Sequence, residues 1–413
     1  MLYAYRILIN LTILLSPIIL IIRLLKKKED FLRFKEKFCL FSKIKKKSNL
    51  IWFHGASVGE LKSIIPILEK IEKDSKIHQV LVTSNTLSSA KIIQEYKFKK
   101  LVHQFFPIDN NFLSNKFLDY WKPTSAFFID SEIWPNMTNN LKKRNIPIIL
   151  LNARITKKTF NRWKTFPKFA ELIFSKFDLC LSSSKESKAY LKKLGAKNIK
   201  LIGNLKFTQI ENEKISIDNQ FKKFIQSKKV WCASSTHESE EILCAKVHNE
   251  LKKKYKNLLT IIIPRHIDRV NSIMESLKKL DLKIHIHEPK KTINKNTEVY
   301  IVNSYGETKS FYMNCKNIFL GGSLITHGGQ NPLEPSRFGC NIVHGPSVYN
   351  FKEIYLFLKQ NKISTMIKNQ KELTNTIDNF FNKKTNKRLI QKKLNLIGKK
   401  ILKITYKEIK NFF

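Results

Sequence analysis

The residues of this chain that can do acid–base and anion-binding chemistry gather in polar segments that directly follow short apolar runs. The first is His54-Gly55-Ala56-Ser57-Val58-Gly59-Glu60, after the apolar stretch 50–53. Leu61, Ile64, Ile65 and Leu68 then recur at helical spacing, which predicts a strand, a tight loop and a helix with Glu60 in its first turn. A carboxylate there can take a proton from a hydroxyl or complement the helix dipole, and position alone leaves both open. The second segment is Asp130-Ser131-Glu132-Ile133-Trp134-Pro135-Asn136, two carboxylates that need water or a partner, or else an N-cap before a helix. The third, Leu151-Asn152-Ala153-Arg154, offers a guanidinium that can grip a carboxylate or phosphate with two hydrogen bonds. The fourth, Gly203-Asn204-Leu205-Lys206, adds an ammonium. Four polar strand ends in one half of the chain are expected to share one rim of a sheet.

The second half supplies a different set. Ala233-Ser234-Ser235-Thr236-His237 with Glu240, Pro264-Arg265-His266 and Tyr305-Gly306-Glu307 each follow a strand or sit in a turn. The richest segment runs from Gly321-Gly322-Ser323 through His327-Gly328-Gly329-Gln330-Asn331-Pro332-Leu333-Glu334-Pro335. Glycines there are expected to let backbone amides approach a phosphate, with Pro332 opening a helix whose N-terminus would bind the anion. Neither a Gly-x-x-x-x-Gly-Lys-Ser/Thr loop nor a Gly-x-Gly-x-x-Gly fingerprint occurs, which disfavours P-loop and ordinary dinucleotide chemistry, and no metal-ligand spacing is present.

The elements that must hold these residues follow from the apolar runs. Strand candidates fall at 50–53, 80–83, 102–106, 126–129, 146–151, 179–182 and 200–202, then at 230–233, 259–263, 283–287, 299–302, 318–320 and 341–343. Such runs, not alternating and spaced by helix-length stretches, predict parallel sheets buried on both faces. The polar stretch 207–228 reads as a link. It separates an acceptor-side domain at 50–206 from a second Rossmann-like domain at 229–380, with a basic helix over 381–413. The fold class is therefore α/β, two doubly wound domains facing across a cleft, a common place for small-molecule sites.

Composition agrees. A chain of 413 residues calls for more than one core, and 42% hydrophobic residues suffice to build them. The formal charge of +43, from 76 Lys and Arg against 33 Asp and Glu, points to nucleic acid, anionic lipid or a phosphorylated substrate. It is spread over many short lysine runs, as a general lysine bias would also leave it. Six cysteines without a Cys-x-x-Cys pair read as buried reduced thiols of a cytoplasmic protein. The front end differs: residues 7–22 are uncharged and almost wholly apolar, flanked by Arg6 and Arg23 and followed by Lys26-Lys27-Lys28. This predicts a membrane anchor over 1–25 and a polybasic juxtamembrane segment over 26–49, with the body on the cytoplasmic side. A helix lying in the membrane plane is the alternative to a span. No small-residue cleavage site follows, which argues against a removed signal peptide.

Taken in order, HGASVGE at 54–60, DSEIWPN at 130–136, LNARI at 151–155, GNLK at 203–206, PRH at 264–266 and HGGQNPLEP at 327–335 resemble the 3-deoxy-D-manno-octulosonic acid (Kdo) transferases. The resemblance runs from the membrane segment to at least Phe351. It implies the two-domain GT-B fold, an N-terminal anchor at the inner membrane, and transfer of Kdo from CMP-Kdo to the lipid A precursor (lipid IVA) in lipopolysaccharide biosynthesis. It implies inverting, metal-independent chemistry with no cofactor. Glu60 then matches the catalytic base, and Glu132 and Lys206 match residues that stabilise the transition state. Pro264, Arg265, Tyr305, Gly306, Glu307, Asn331, Pro332, Leu333 and Glu334 match the CMP contacts. Arg154, with Lys206, is suited to the Kdo carboxylate, and Gly55 and Ser57 line the same loop. Asn303, Thr308 and Thr208 depart from the residues common in the family. The expected partners are donor, phosphorylated lipid acceptor and an anionic membrane surface. Neither nucleic acid nor an obligate protein partner is expected. A GT-B transferase with another nucleotide sugar, and a membrane-tethered nucleic-acid binder, are the competing readings.

Overall fold

The computed structural model describes residues 1–46, 49–209, 218–288, 292–383 and 387–413. The chain forms two compact units, Met1–Gln209 with Ile397–Phe413, and Ile210–Leu396. Part of the 207–228 link, residues 210–217, lies outside the described residues. The rest of that stretch is structured. Leu205–Thr208 is a 3-10 turn of the first unit, and Asn219–Gln226 is a helix of the second with Phe221 and Ile225 buried.

The first unit is built on seven parallel strands. They are β1 (Leu50–His54), β2 (Gln79–Ser84), β3 (Leu101–Phe105), β4 (Ser125–Ile129), β5 (Ile148–Ala153), β6 (Leu179–Ser182) and β7 (Ile199–Leu201), in the order β3-β2-β1-β4-β5-β6-β7. Side chains alternate across this sheet into two cores. Trp52, Ala126, Phe128 and Leu150 face one, while Ile51, Phe53, Phe127 and Leu151 face the other. Burial on both faces is why the strands read as unbroken apolar runs. β1 and β4 are neighbours although far apart in sequence, so the loops that follow them open at the point where strand order reverses. In open α/β sheets this is where ligands bind.

The second unit repeats the plan with β8 (Lys229–Thr236), β9 (Leu258–Pro264), β10 (Ile284–Ile286), β11 (Val299–Ile301), β12 (Asn317–Leu320), β13 (Asn341–His344) and β14 (Ser364–Met366). They pair in the order β10-β11-β9-β8-β12-β13-β14. Its reversal point lies between β8 and β12. Strand β14 escaped the sequence reading because it is a three-residue edge strand with Thr365 and Met366 exposed, which leaves no apolar run.

The C-terminal helix Lys387–Ile409 is more than a solvated basic element. Its end returns to the first unit, where Ile401 and Ile409 join the core under β1 and β4. Gly398 sits so close to the Leu205–Thr208 turn that a Cβ there would stand 2.4 Å from the Phe207 carbonyl oxygen. Part of the basic stretch 26–46 is paired within the first unit. Glu29 takes Arg23 at 2.6 Å and Lys37 at 2.7 Å, and buried Glu36 takes Arg33 at 2.8 Å. All six cysteines are free and buried.

Candidate active site

Glu60 stands at the third position of the helix Val58–Glu72. Ser57 is the N-cap and its hydroxyl accepts the Glu60 amide. The carboxylate turns back over the loop, accepting the Ala56 N–H at 2.7 Å on one oxygen and the Ser57 hydroxyl at 2.8 Å on the other. This is close to a capping box, so Glu60 has a structural task whatever else it does. Gly55 makes the tight approach possible: a Cβ would meet Ile129 at 3.0 Å and Leu61 at 3.1 Å. A helix-capping carboxylate in water would have a low pKa, but that of Glu60 is raised to about 7. Burial is the largest cause, followed by the negative charges of Asp130 and Glu132. The hydrogen bonds from Ser57 and Ala56 oppose the shift.

Asp130 and Glu132 reach the same rim from the end of β4. Asp130 has φ of +56° and Asn152, in a β-bulge between β5 and β6, has φ of +51°. These two left-handed residues turn their side chains toward each other, and Asn152 Nδ2 donates to Asp130 Oδ1. Asn152 Oδ1 accepts the Leu205 amide at 2.8 Å, and Asn204 Oδ1 accepts the Lys206 amide at 2.9 Å. Lys206 is thereby carried to within 3.8 Å of Asp130 Oδ2. Burial pushes Asp130 up, and Lys206, the Asn152 hydrogen bond and Arg154 pull it back. Glu132 Oε2 accepts Trp134 Nε1 at 3.0 Å and lies 3.1 Å from Nε2 of fully buried His54. The other ring nitrogen of His54 meets Thr83 Oγ1 at 2.9 Å, and the ring stacks on Phe106.

The first unit thus gathers Glu60, Glu132 and Lys206, with Arg154 and the Gly55–Ser57 loop, at one reversal point. Asp130, Asn152 and His54 stood in the sequence segments without a role. Their partners lie on other strands, which sequence spacing does not reveal.

In the second unit the loops after β8, β9 and β12 meet. Arg265 is exposed and its amide donates to the Thr236 carbonyl at 3.0 Å. His237 lies 4.1 Å from the His327 ring and 6.1 Å from the His266 ring, centroid to centroid. Burial, then the neighbouring His327, His266, Arg265 and Arg269, lower its pKa to about 4. Tyr305 is exposed beside Gly306, while Glu307 accepts the Ser304 hydroxyl at 2.6 Å and lies 2.8 Å from His287 Nε2.

One expectation is corrected here. The amides of the Gly321–Ser323 turn do not point outward for a phosphate. Gly322 N at 2.7 Å, Ser323 N at 3.2 Å and Leu324 N at 3.1 Å all donate to the buried carboxylate of Glu240, which also takes His237 N at 3.0 Å. Gly321 is needed for packing, since a Cβ would lie 2.5 Å from the Ser235 carbonyl oxygen. Pro332 does open a helix, a short one. It is the N-cap of the five-residue helix Leu333–Arg337, with Asn331 Oδ1 accepting the Leu333 amide at 3.2 Å. Leu333 is 1% exposed and Pro264 is buried, so both can offer a ligand little beyond backbone, whereas Asn331 and Glu334 are partly exposed. Among the described residues no group of three or more His, Cys, Asp or Glu could hold a metal ion.

The fold and the sequence are matched by known proteins. A family profile of 3-deoxy-D-manno-octulosonic-acid transferase (kdotransferase) matches residues 32–209. The 3-deoxy-D-manno-octulosonic acid transferase of Rickettsia bellii (strain RML369-C) is 34% identical over 89% of this chain and 88% of its own length. The chain belongs to the Kdo transferase family. The transferase of Haemophilus influenzae is 30% identical over 75% of the chain and 73% of that protein. A putative UDP-N-acetylglucosamine 2-epimerase from Listeria monocytogenes, at 11% identity, superposes with a TM-score of 0.61 over 88% of the chain and 97% of that structure, a likeness of fold. As a member of that family the protein is a glycosyltransferase, and its architecture is of the GT-B kind.

Proposed function

We propose that the protein transfers Kdo from CMP-Kdo to the lipid A precursor lipid IVA, with inversion and without a metal, in lipopolysaccharide synthesis at the cytoplasmic face of the inner membrane. The observation that supports it most is Glu60, partly buried in the first turn of a helix at the reversal point of the first sheet, with a pKa near neutrality and with Glu132 and Lys206 on the same rim. An acceptor hydroxyl attacks the anomeric carbon of Kdo. Its proton passes to the Glu60 carboxylate, the new C–O bond forms, and the bond to CMP breaks with its electron pair left on the phosphate oxygen. The ammonium of Lys206 and the guanidinium of Arg154 suit the Kdo carboxylate. Arg265, with the short helix at Asn331, suits the charge that grows on the leaving phosphate. Release of CMP from CMP-Kdo, dependent on lipid IVA and unchanged by a chelator, is the result expected. A strict need for a divalent ion rules out the metal-free mechanism, and turnover only with another nucleotide sugar rules out the donor.

Arg265→Ala is expected to weaken CMP binding by about 10–100-fold. It removes a charge-assisted hydrogen bond of roughly 1.5–3 kcal/mol from an exposed side chain whose loss disturbs no core. Calorimetric titration of both proteins with CMP measures it, and equal affinities move the nucleotide away from the β9 loop.

A further inference from the structure

The N-terminal helix Leu2–Leu25 has 24 residues, a length of about 36 Å, enough to cross a bilayer. It does not stand away from the first unit. Its less exposed positions recur every three or four residues, from Tyr5 and Ile9 through Ile13, Ser16 and Leu20 to Arg23. They form one stripe, and its polar members near the start of the helix are tied down. Tyr5 donates its hydroxyl to Asp109 Oδ2 at 2.8 Å. Arg6 donates to Asn136 Oδ1 at 3.0 Å and to Asn111 Oδ1 at 2.8 Å. Asn110 Nδ2 donates to Asn10 Oδ1 at 2.6 Å, and the Tyr5 ring meets Phe169. Ile13 packs on the core that holds Trp52 and Trp121. At the far end Arg23 pairs with buried Glu29, which Lys37 also binds, and the Lys37 carbonyl accepts the Ile108 amide.

The opposite face is apolar and uncovered. Ile7, Leu11, Leu14, Leu15, Ile18 and Leu25 are each more than half exposed. Phe112, next to Asn110 and Asn111, and Phe166, which opens the helix carrying Phe169, extend this surface beside the first turns. Exposed cations adjoin its end: Lys26, Lys27 and Lys28 directly follow the helix. An apolar stripe that ends in a run of lysines fits one partner, a leaflet of anionic lipid.

A span cannot keep these contacts. With the body in water on one side, a helix crossing the bilayer carries Tyr5, Arg6 and Asn10 to the far side and breaks their hydrogen bonds to Asp109, Asn110, Asn111 and Asn136. We propose that the helix lies in the plane of one leaflet, as a ridge of the first unit, with its exposed face in the acyl region and both of its ends on the side of the body. This rests on the reading that the protein works at a membrane, and it makes the first unit itself the membrane-binding face.

The test uses the full chain with a soluble, protease-cleavable tag ahead of Met1 and a cysteine in place of exposed Lys371 in the second unit. The six native cysteines are buried, so a membrane-impermeant maleimide at position 371 marks the side on which the body lies. In sealed inner-membrane vesicles of both orientations, protease is expected to remove the tag only from the side where position 371 is labelled, and the protein is expected to stay bound after a high-salt wash. Tag removal from the opposite side shows a span and overturns the inference. Same-side removal with release by salt shows attachment by charge alone and also overturns it. Recovery in the soluble fraction before any wash overturns it together with the membrane reading, whereas opposite-side removal leaves that reading standing.

Discussion

Glu60→Gln is expected to fold and to bind CMP as the native protein does, yet to transfer Kdo ~10²-fold or more slowly, because an amide cannot accept the acceptor's proton. The amide oxygen can still take one of the two hydrogen bonds that Glu60 accepts from Ala56 and Ser57, so the helix start keeps its cap. The pH dependence distinguishes a base from a cap. With its pKa raised to about 7, Glu60 is mostly protonated below neutrality, and transfer by the native enzyme is expected to rise as pH passes through about 7. The residual rate of the Gln variant should lack that rise. Stability is expected to move the other way. A carboxyl whose folded pKa lies above its unfolded value binds more protons folded than unfolded between about 4.5 and about 7, so folding loses stability as pH rises through that window. Gln removes this penalty. At pH 8 the variant should melt at or above the native temperature while being nearly inactive. Near-native turnover of Glu60→Gln at saturating donor and acceptor eliminates Glu60 as the base, and Glu132, held by His54 and Trp134, becomes the next candidate.

Glu240→Ala is expected to destabilise the second unit by roughly 3–5 kcal/mol and to abolish CMP binding. Its carboxylate is 1% exposed and holds four backbone N–H groups, from His237 after β8 and from Gly322, Ser323 and Leu324 after β12. Alanine leaves those donors buried without an acceptor, and each unmet donor costs about 1–3 kcal/mol less whatever water recovers. The loop that leads to His327 and Asn331 loses its tether at the reversal point of the sheet. Thermal melting and CMP titration together check this. If Glu240 instead touches substrate, the alanine variant melts within a degree or two of the native protein and is merely inactive, and the structural assignment fails.

The sequence by itself determined every described strand but β14, the helix start that carries Glu60 and the segments that hold the candidate groups. Burial on both faces leaves a local record in apolar runs such as 50–53 and 126–129, and the Ser57 to Glu60 spacing leaves one at the helix start. It also carried the family, through motifs in fixed order. Tertiary structure decided the rest, because the physical causes join residues far apart in the chain. Strand order put β1 beside β4, and so buried Glu60 beside Asp130 and Glu132; burial first, and then those two charges, raise its pKa. A left-handed bulge at Asn152 and the close approach of Gly398, almost two hundred residues beyond the turn it packs on, hold Lys206 at that rim. Glycine content suggested an open phosphate cradle within 321–335, but only the packing of β8 against β12 showed the amides of 322–324 already claimed by Glu240. The N-terminal helix makes the same point. Its length and apolar composition suffice for meeting lipid, whereas its few polar residues, by finding Asp109, Asn110, Asn111 and Asn136, fix which face stays exposed.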